Sequence, residues 1–85
     1  MAVIERQVHG VPVWLMREYL VELGGQAQGE DMVLGDGWQA NFKRIEDYKI
    51  GSLVIGRVWV KITGDEGVLA ALQPALDLKL IRGGG

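Results

Sequence analysis

The side chains that most often carry out chemistry in proteins are scarce in this sequence of 85 residues, which has no cysteine, one histidine, one serine and one threonine. Without cysteine there is no disulfide, no thiol nucleophile and no iron–sulfur ligation. His9 is a single imidazole among scattered carboxylates, which is too few ligands for a specific transition-metal site. Ser52 lies in a predicted turn and Thr63 at a predicted helix start, so neither is predicted to act as a nucleophile. We therefore expect no metal and no cofactor.

Adjacent acidic residues occur at Glu30-Asp31, Glu46-Asp47 and Asp65-Glu66. Paired carboxylates work as general acid and base when they are separated and differently buried. All three pairs are predicted to lie in turns or at a helix start, where sequential neighbours are usually solvated. We therefore expect no catalytic residues and no enzyme activity.

The charge balance limits the partners of the chain. Nine basic and eleven acidic residues give a formal net charge of −2, which provides no general attraction to nucleic acid or to an anionic membrane. The longest apolar run, Val11 to Met16, is far shorter than the roughly 20 residues of a membrane span. We expect a cytoplasmic domain without a nucleic-acid or membrane partner.

The residues from Pro12 to Leu23 have the spacing of an amphipathic helix, which follows a first strand over 1–9 with Ile4 and Val8 inward. Pro12 suits the first helical turn, and Gly24-Gly25 suits a C-terminal cap. The stripe predicted to face the core consists of Val13, Met16, Leu20 and Leu23, with Tyr19 at its margin. Trp14 and Val21, seven positions apart, fall among charged residues instead, so they form one candidate contact surface.

Alternating residues then predict a hairpin from Met32 to Lys43 with its turn at Gly35-Asp36-Gly37. After a connection over 44–51, a long strand is predicted over 53–63, with Gly56 as a bend or bulge and a core face of Val54, Val58, Val60 and Ile62. The opposite face presents Arg57, Trp59 and Lys61, beside Gln39, Asn41 and Lys43 of the hairpin. This cationic face is the second candidate docking surface. The alternative is a solvated face on which Trp59 covers its neighbours.

Thr63 and Glu66 match a reciprocal capping box that starts a second helix. Its predicted core face is Val68, Leu69, Leu72, Ala75 and Leu76, and Pro74 is expected to kink or restart it. The segment 78–82 is expected to form a short last strand or a packed extension. Residues 1–85 then make one α+β domain: a two-layer sandwich in the order β-α-β(3-4)-α, with an antiparallel sheet and both helices on one face.

The end of the chain, Leu80-Ile81-Arg82-Gly83-Gly84-Gly85, resembles the tails of ubiquitin-like modifiers and sulfur carriers. The resemblance implies a terminal glycine carboxylate that is adenylated and passed on as a thiocarboxylate or thioester. A tail without side chains can enter a narrow enzyme channel. Those proteins begin with a hairpin before their helix, whereas here a single strand precedes the helix. A frayed glycine terminus is the alternative.

A larger pattern extends over Val11-Pro12, 19–25, Gly37-Trp38, 50–58 and 80–84. It resembles the C-terminal domain type found in MoaD-related proteins, which are associated with molybdopterin biosynthesis. The resemblance covers nearly the whole chain, and it implies a β-α-β4-α fold similar to the TATA-binding-protein-like arrangement. It carries over no catalytic residue, and DNA binding does not follow from a shared fold.

We therefore expect a small accessory or interaction domain that acts by recognition. Its partner would be another protein or a second copy of the chain, held at Trp14 and Val21 or at the Arg57, Trp59 and Lys61 face. Two alternatives stay open. One is a sulfur or acyl carrier activated at the tail Gly83, Gly84 and Gly85. The other is a small-ligand module with a cavity between helix and sheet, lined by Met16, Trp38 and Phe42.

Overall fold

The computed structural model describes residues 1–83. The elements in chain order are β1 (Ala2–His9), α1 (Val13–Glu22), β2 (Gln26–Ala27), β3 (Met32–Gly35), β4 (Trp38–Ile50), β5 (Leu53–Gly64) and α2 (Glu66–Gly83). The strands form one sheet in the order β1-β5-β4-β3-β2, and every neighbouring pair is antiparallel. The α+β class, the antiparallel sheet and the two helices predicted from the sequence are confirmed.

One hydrophobic core joins the inner face of the sheet to both helices. In the central part of the sheet every second side chain of a strand points to this core, which is the pattern that alternating apolar residues predict. The buried residues are Val11, Met16, Leu20, Val33, Trp38, Ala40, Phe42, Val58, Val60, Ile62, Leu69, Leu72 and Leu76. Because α1 and α2 contact each other and contribute to the same cluster, they lie together on one side of the sheet.

The ends of α1 follow from its flanking residues. Pro12 occupies the cap position with an extended backbone and offers no side-chain hydrogen bond. At the other end, the Gly24 N–H donates to the Val21 carbonyl at 3.0 Å and the Gly25 N–H donates to the Leu20 carbonyl at 3.1 Å. This pair of bonds is a Schellman motif, and Gly24 has the positive φ of +105° that the motif requires. The glycine cap predicted from the sequence is confirmed.

The strand β4 is longer than predicted. Residues 44–50, predicted as a connection, continue β4 to Ile50, and the chain turns only at Gly51-Ser52. Glu46 and Asp47 lie opposite the single residue Gly56 of β5, which is a β-bulge. The predicted connection was wrong because the bulge accommodates this acidic pair inside the strand. Gly56 does not divide β5 into two strands. The fourth strand between the two helices is the short β2 instead.

Beyond the bulge, β4 and β5 form a two-stranded projection, residues 48–55, which we call the hairpin arm. The pairing of β1 with β5 ends at His9 and Arg57, and β3 pairs with β4 only as far as Asn41. The arm therefore lengthens the molecule, whose extents are 42 × 24 × 21 Å. Val54, predicted to face the core, is 54% exposed, because it lies past the part of the sheet that the helices cover.

The cap of α2 differs from the predicted capping box. Asp65 Oδ1 accepts hydrogen bonds from the Gly67 N–H at 2.9 Å and from the Val68 N–H at 3.2 Å. Thr63, the predicted cap, is still paired within β5. The prediction was wrong because β5 continues to Gly64, so the helix cannot begin until the strand has ended.

The helix α2 runs without a break through Pro74 to Gly83. The short strand predicted over 78–82 therefore does not form, and neither does a restart at Pro74. Pro74 and Ala70, whose carbonyl would lose its helical partner, are both exposed, so water can bind that carbonyl. No helix within residues 1–83 is both long and apolar enough to cross a bilayer. Gly84 and Gly85 of the predicted tail lie outside the described residues.

Candidate functional site

Three of the residues considered for chemistry, His9, Asp47 and Asp65, have structural partners. The His9 ring stacks on Tyr48, with ring centroids 5.6 Å apart. Asp47 pairs with Arg44 at 3.2 Å, and Asp65 caps α2. Within residues 1–83, no three side chains among His, Cys, Asp and Glu come close enough together to hold a metal ion.

The face of the sheet opposite the helices, here called the open face, carries the predicted cationic residues in one row along β5. Trp59 lies between Gln7 of β1 and Lys43 of β4. On either side of it, Arg57 is paired with His9 and Ile45, and Lys61 is paired with Glu5 and Asn41. The structure therefore places Arg57, Trp59 and Lys61 together, as alternation in a strand requires.

The polar groups of the open face are largely bound to one another. Trp59 Nε1 donates to Glu5 Oε1 at 2.9 Å, and Lys43 Nζ lies 5.3 Å from the centroid of the Trp59 ring. Arg57 Nε donates to the Glu46 carbonyl at 2.7 Å. These contacts leave Trp59 half-buried, and a partner would have to displace them. The open face therefore has the features of a self-contained polar surface.

Trp14 and Val21 lie on the solvent side of α1, where their side chains are 58% and 41% exposed. They border one shallow cleft of about 270 Å³ together with Arg17 and Glu18. The seven-residue spacing thus brings them to one surface. Two apolar side chains form only a small patch, well below the few hundred Å² that mark an interaction site.

The hairpin arm was missed by sequence reasoning. Tyr48, Ile50, Leu53 and Val54 are 43–57% exposed, and all four lie near the tip of the arm. The stacking of Tyr48 on His9 places Tyr48 on the open face, while Val54 shares the helix side with Val58. The turn pair Gly51-Ser52 between apolar residues is the hairpin signal that could have found it.

The predicted ligand cavity is filled by core packing. Met16 and Phe42 are buried within the shared core, and Trp38 is nearly so. Trp38 does border a surface cleft of about 480 Å³ at the end of the sheet, together with Gly37, Gly64 and Met1. A binding site for a small molecule is therefore to be sought in surface clefts.

A second surface cleft, of about 490 Å³, lies where the chain passes from β1 into α1. We call it the arginine cleft. Its lining residues are Val11, Pro12, Val13, Trp14, Arg17, Glu30, Arg44, Gly56 and Arg57. The Gly10 N–H donates to the Gly56 carbonyl at 2.8 Å, which fixes one wall of the cleft against β5.

The fold is that of a small α+β domain with a five-stranded antiparallel sheet and two helices. The model of the family described as archaeal MoaD-like protein matches residues 4–85, so the chain belongs to this family. The relation to MoaD-related proteins that the sequence pattern indicated is thereby confirmed. A search of curated proteins finds no match.

Proposed function

We propose that this chain is a non-catalytic interaction domain that works in the cytoplasm with proteins of sulfur-carrier or molybdopterin biosynthesis. Its family supports the connection with those proteins. The observation that carries the recognition role is the hairpin arm, with its four exposed apolar side chains beyond the edge of the core. In this proposal the order β-α-β4-α also corresponds to the TATA-binding-protein-like arrangement, without its DNA binding.

The structure of the arm suggests what kind of surface covers it. Two strands without a third strand or a helix beside them are marginally stable in water. The arm has apolar residues on both sides, with Tyr48 on the open face and Val54 on the helix side. A partner protein with an apolar groove would bury both sides at once and would also cover the free strand edges. A flat partner surface would bury only one side.

The other candidate surfaces support this choice. Trp59 and Arg57 are engaged with Glu5 and Glu46 within the chain, so their polar groups gain little from a partner. Trp14 and Val21 offer a smaller area than the arm. We therefore place the principal contact on the arm and leave Trp14 and Val21 as a secondary contact.

A pull-down with identification by mass spectrometry tests this proposal. The bait is the full chain, compared with the double variant Ile50→Ser/Leu53→Ser. The control is Val3→Ser/Ile81→Ser, which removes two apolar residues outside the arm that are similarly exposed or more exposed. We expect sulfur-carrier or molybdopterin-synthesis proteins to bind the native chain and the control but not the arm variant. Capture that survives the arm substitutions would contradict the proposal.

Light scattering on the same three proteins separates a foreign partner from a second copy. A native chain that is monomeric at high concentration indicates a foreign partner. If the native chain is a dimer and the arm variant is a monomer, the partner is a second copy of this chain, bound through the same arm. A dimer that only the control loses would show that the arm is not the contact.

A second candidate function is a carrier activated at Gly85, because the family match extends to Gly85 and the last three residues are glycine. A chain that ends at Gly85 would be incubated with an adenylating enzyme, ATP and a sulfur source. Intact-mass analysis would then look for the mass increase that replaces one oxygen with sulfur. A matched chain without Gly83, Gly84 and Gly85 serves as the control. An unchanged mass in the full chain would exclude the carrier role.

A further inference from the structure

The arginine cleft concentrates positive charge in a chain whose net charge is −2. Arg17 of α1, Arg44 of β4 and Arg57 of β5 border it, and Glu30 is the one acidic residue in its lining. Arg44 lies on the helix side of the sheet, like Arg17 of α1. The Arg57 side chain instead points to the open face and donates to the Glu46 carbonyl and to Gln7 Oε1. Like charges gathered around one concavity attract an anion, because walls of low dielectric constant focus their field.

Hydrogen-bond donors remain available in the cleft. Each guanidinium group has five N–H donors. Arg44 uses only Nη2, in an exposed pair with Asp47 at 3.2 Å, and such pairs contribute little to stability. Arg17 makes no side-chain hydrogen bond or ion pair within residues 1–83. Arginine binds phosphate oxygens through paired, parallel N–H groups, so these two residues suit a phosphate group.

The lining of the cleft includes a glycine, Gly56. Gly56 is the fourth residue of β5, and the only atom within 4 Å of the Cβ that it lacks is Asp47 Oδ1, at 4.0 Å. A glycine inside a strand marks a bulge or a place where another molecule approaches the backbone closely. At Gly56 the bulge is in the opposite strand, and the Asp47 carboxylate is the one neighbouring group beside the missing side chain.

Trp14 supplies a flat apolar surface at the same cleft, with its side chain 58% exposed. Indole rings stack on planar heterocycles, and such stacking contributes to binding without requiring a particular base. The volume of about 490 Å³ lies within the range of roughly 300–1,000 Å³ that small-molecule sites occupy. The size of the cleft therefore suits a ring with one phosphate group.

We propose that the arginine cleft binds a small organic phosphate with a planar ring, of mononucleotide size. Arg17 and Arg44 hold the phosphate, Trp14 stacks on the ring, and Gly56 leaves room for the ligand against β5. Glu30 opposes the ligand charge and so limits the affinity. This binding site is separate from the hairpin arm, and it does not depend on the interaction role proposed above.

The test is a titration of the full chain with inosine monophosphate, inosine and inorganic phosphate at low salt, followed by calorimetry and by NMR of the Trp14 indole N–H. We expect the monophosphate to bind more tightly than either of its halves and to shift the Trp14 signal. No shift of this signal at millimolar monophosphate would overturn the proposal. If inorganic phosphate binds with the same affinity as the monophosphate, the cleft is a simple anion site, and the proposed contact between Trp14 and the ring is overturned.

Single substitutions test which side chains contact the ligand. Arg17→Gln and Arg44→Gln are each expected to weaken monophosphate binding about tenfold, the loss expected for one charged hydrogen bond. Lys61→Gln on the open face removes the same charge outside the cleft and should change the affinity by less than about twofold. Equal losses in all three variants would indicate general charge attraction and overturn the site.

Two further substitutions keep the proposal testable if an arginine variant folds poorly. Gly56→Val adds a side chain to the lining of the cleft that suits a strand, and it should abolish binding without removing any charge. Glu30→Gln should strengthen binding, because it removes an acidic group from the lining of the cleft. Unchanged affinity in Gly56→Val, in a folded protein, would place the ligand elsewhere.

Discussion

Gly64 and Gly56 both lie in β5, but a methyl group would meet different surroundings at the two positions. A Cβ at Gly64 would overlap the Gly37 carbonyl oxygen and lie 2.8 Å from Trp38 Cα, and these backbone atoms cannot move aside. We predict that Gly64→Ala lowers the free energy of unfolding by about 1–3 kcal/mol. Gly56→Ala should change it by less than about 1 kcal/mol. Urea denaturation of both variants measures the difference, and equal effects would contradict the packing described at Gly64.

A second residue-scale prediction concerns the cap of α2. Asp65→Ala removes the acceptor of the Gly67 and Val68 N–H groups, so we predict a loss of about 0.5–2 kcal/mol in unfolding free energy. The control is Thr63→Val, which removes the hydroxyl group but keeps the branched shape that suits β5. It should cost much less than Asp65→Ala. The reverse order, measured by urea denaturation, would show that the capping box predicted from the sequence is the true cap.

These residues show what local sequence can decide. Gly24 and Gly25 were correctly predicted as a cap, because a Schellman motif needs only its own helix and the next two residues. The cap of α2 was not correctly predicted, because Thr63 and Asp65 both have side chains that can cap a helix. The choice between them depends on where β5 ends, and that is set by its pairing with β1 and β4.

At the scale of elements, Val54 and Val58 make a matched pair in β5. Both have the spacing of core residues, but Val58 is buried and Val54 is on the arm. We predict that Val58→Ala lowers the free energy of unfolding by about 1.5–3 kcal/mol. Val54→Ala should change it by less than about 0.5 kcal/mol. Thermal or urea unfolding measures both, and a large cost at Val54 would mean that the arm is covered in the free protein.

Alternation in β5 correctly predicted which side chains share a face, because the two-residue period follows from the strand backbone itself. It did not predict how far the helical layer extends over that face. The arm becomes exposed because its neighbouring strands, β1 and β3, end before it does. Pairing lengths of this kind depend on separate parts of the chain, so the local pattern around Val54 contains no sign of them.

For the molecule as a whole, the shared core predicts a single unfolding transition. Met16 of α1 is fully buried in the cluster that also holds Leu69 and Leu76 of α2. We predict that Met16→Ala costs about 2–5 kcal/mol and lowers the unfolding midpoint equally by far-ultraviolet circular dichroism and by tryptophan fluorescence. Met32→Ala, at a half-buried residue of β3, should cost less. Separate midpoints for the two probes would show that the helices unfold independently.

Two ion pairs connect elements that are distant in the sequence: Lys79 with Glu22 between the helices at 2.7 Å, and Arg6 with Asp77 between β1 and α2. Their side chains are partly exposed, so they align the two layers more than they stabilise them. The spacing of residues within one helix or strand does not reveal such pairs. They are visible only once the helices are packed on the sheet.

The sequence by itself determined the class of this protein: its alternating and helical periods, its glycine turns and its lack of cysteine follow from residue type and spacing alone. The periods and the glycine turns are local properties, so each can be recognised within about a dozen residues. Only the tertiary structure decided which apolar residues are covered, where α2 begins, how far the hairpin arm projects past the core, and that the arginine cleft exists. Gly51-Ser52 signals a turn, but burial is a property of neighbours brought together from distant parts of the chain, and no local pattern specifies those neighbours.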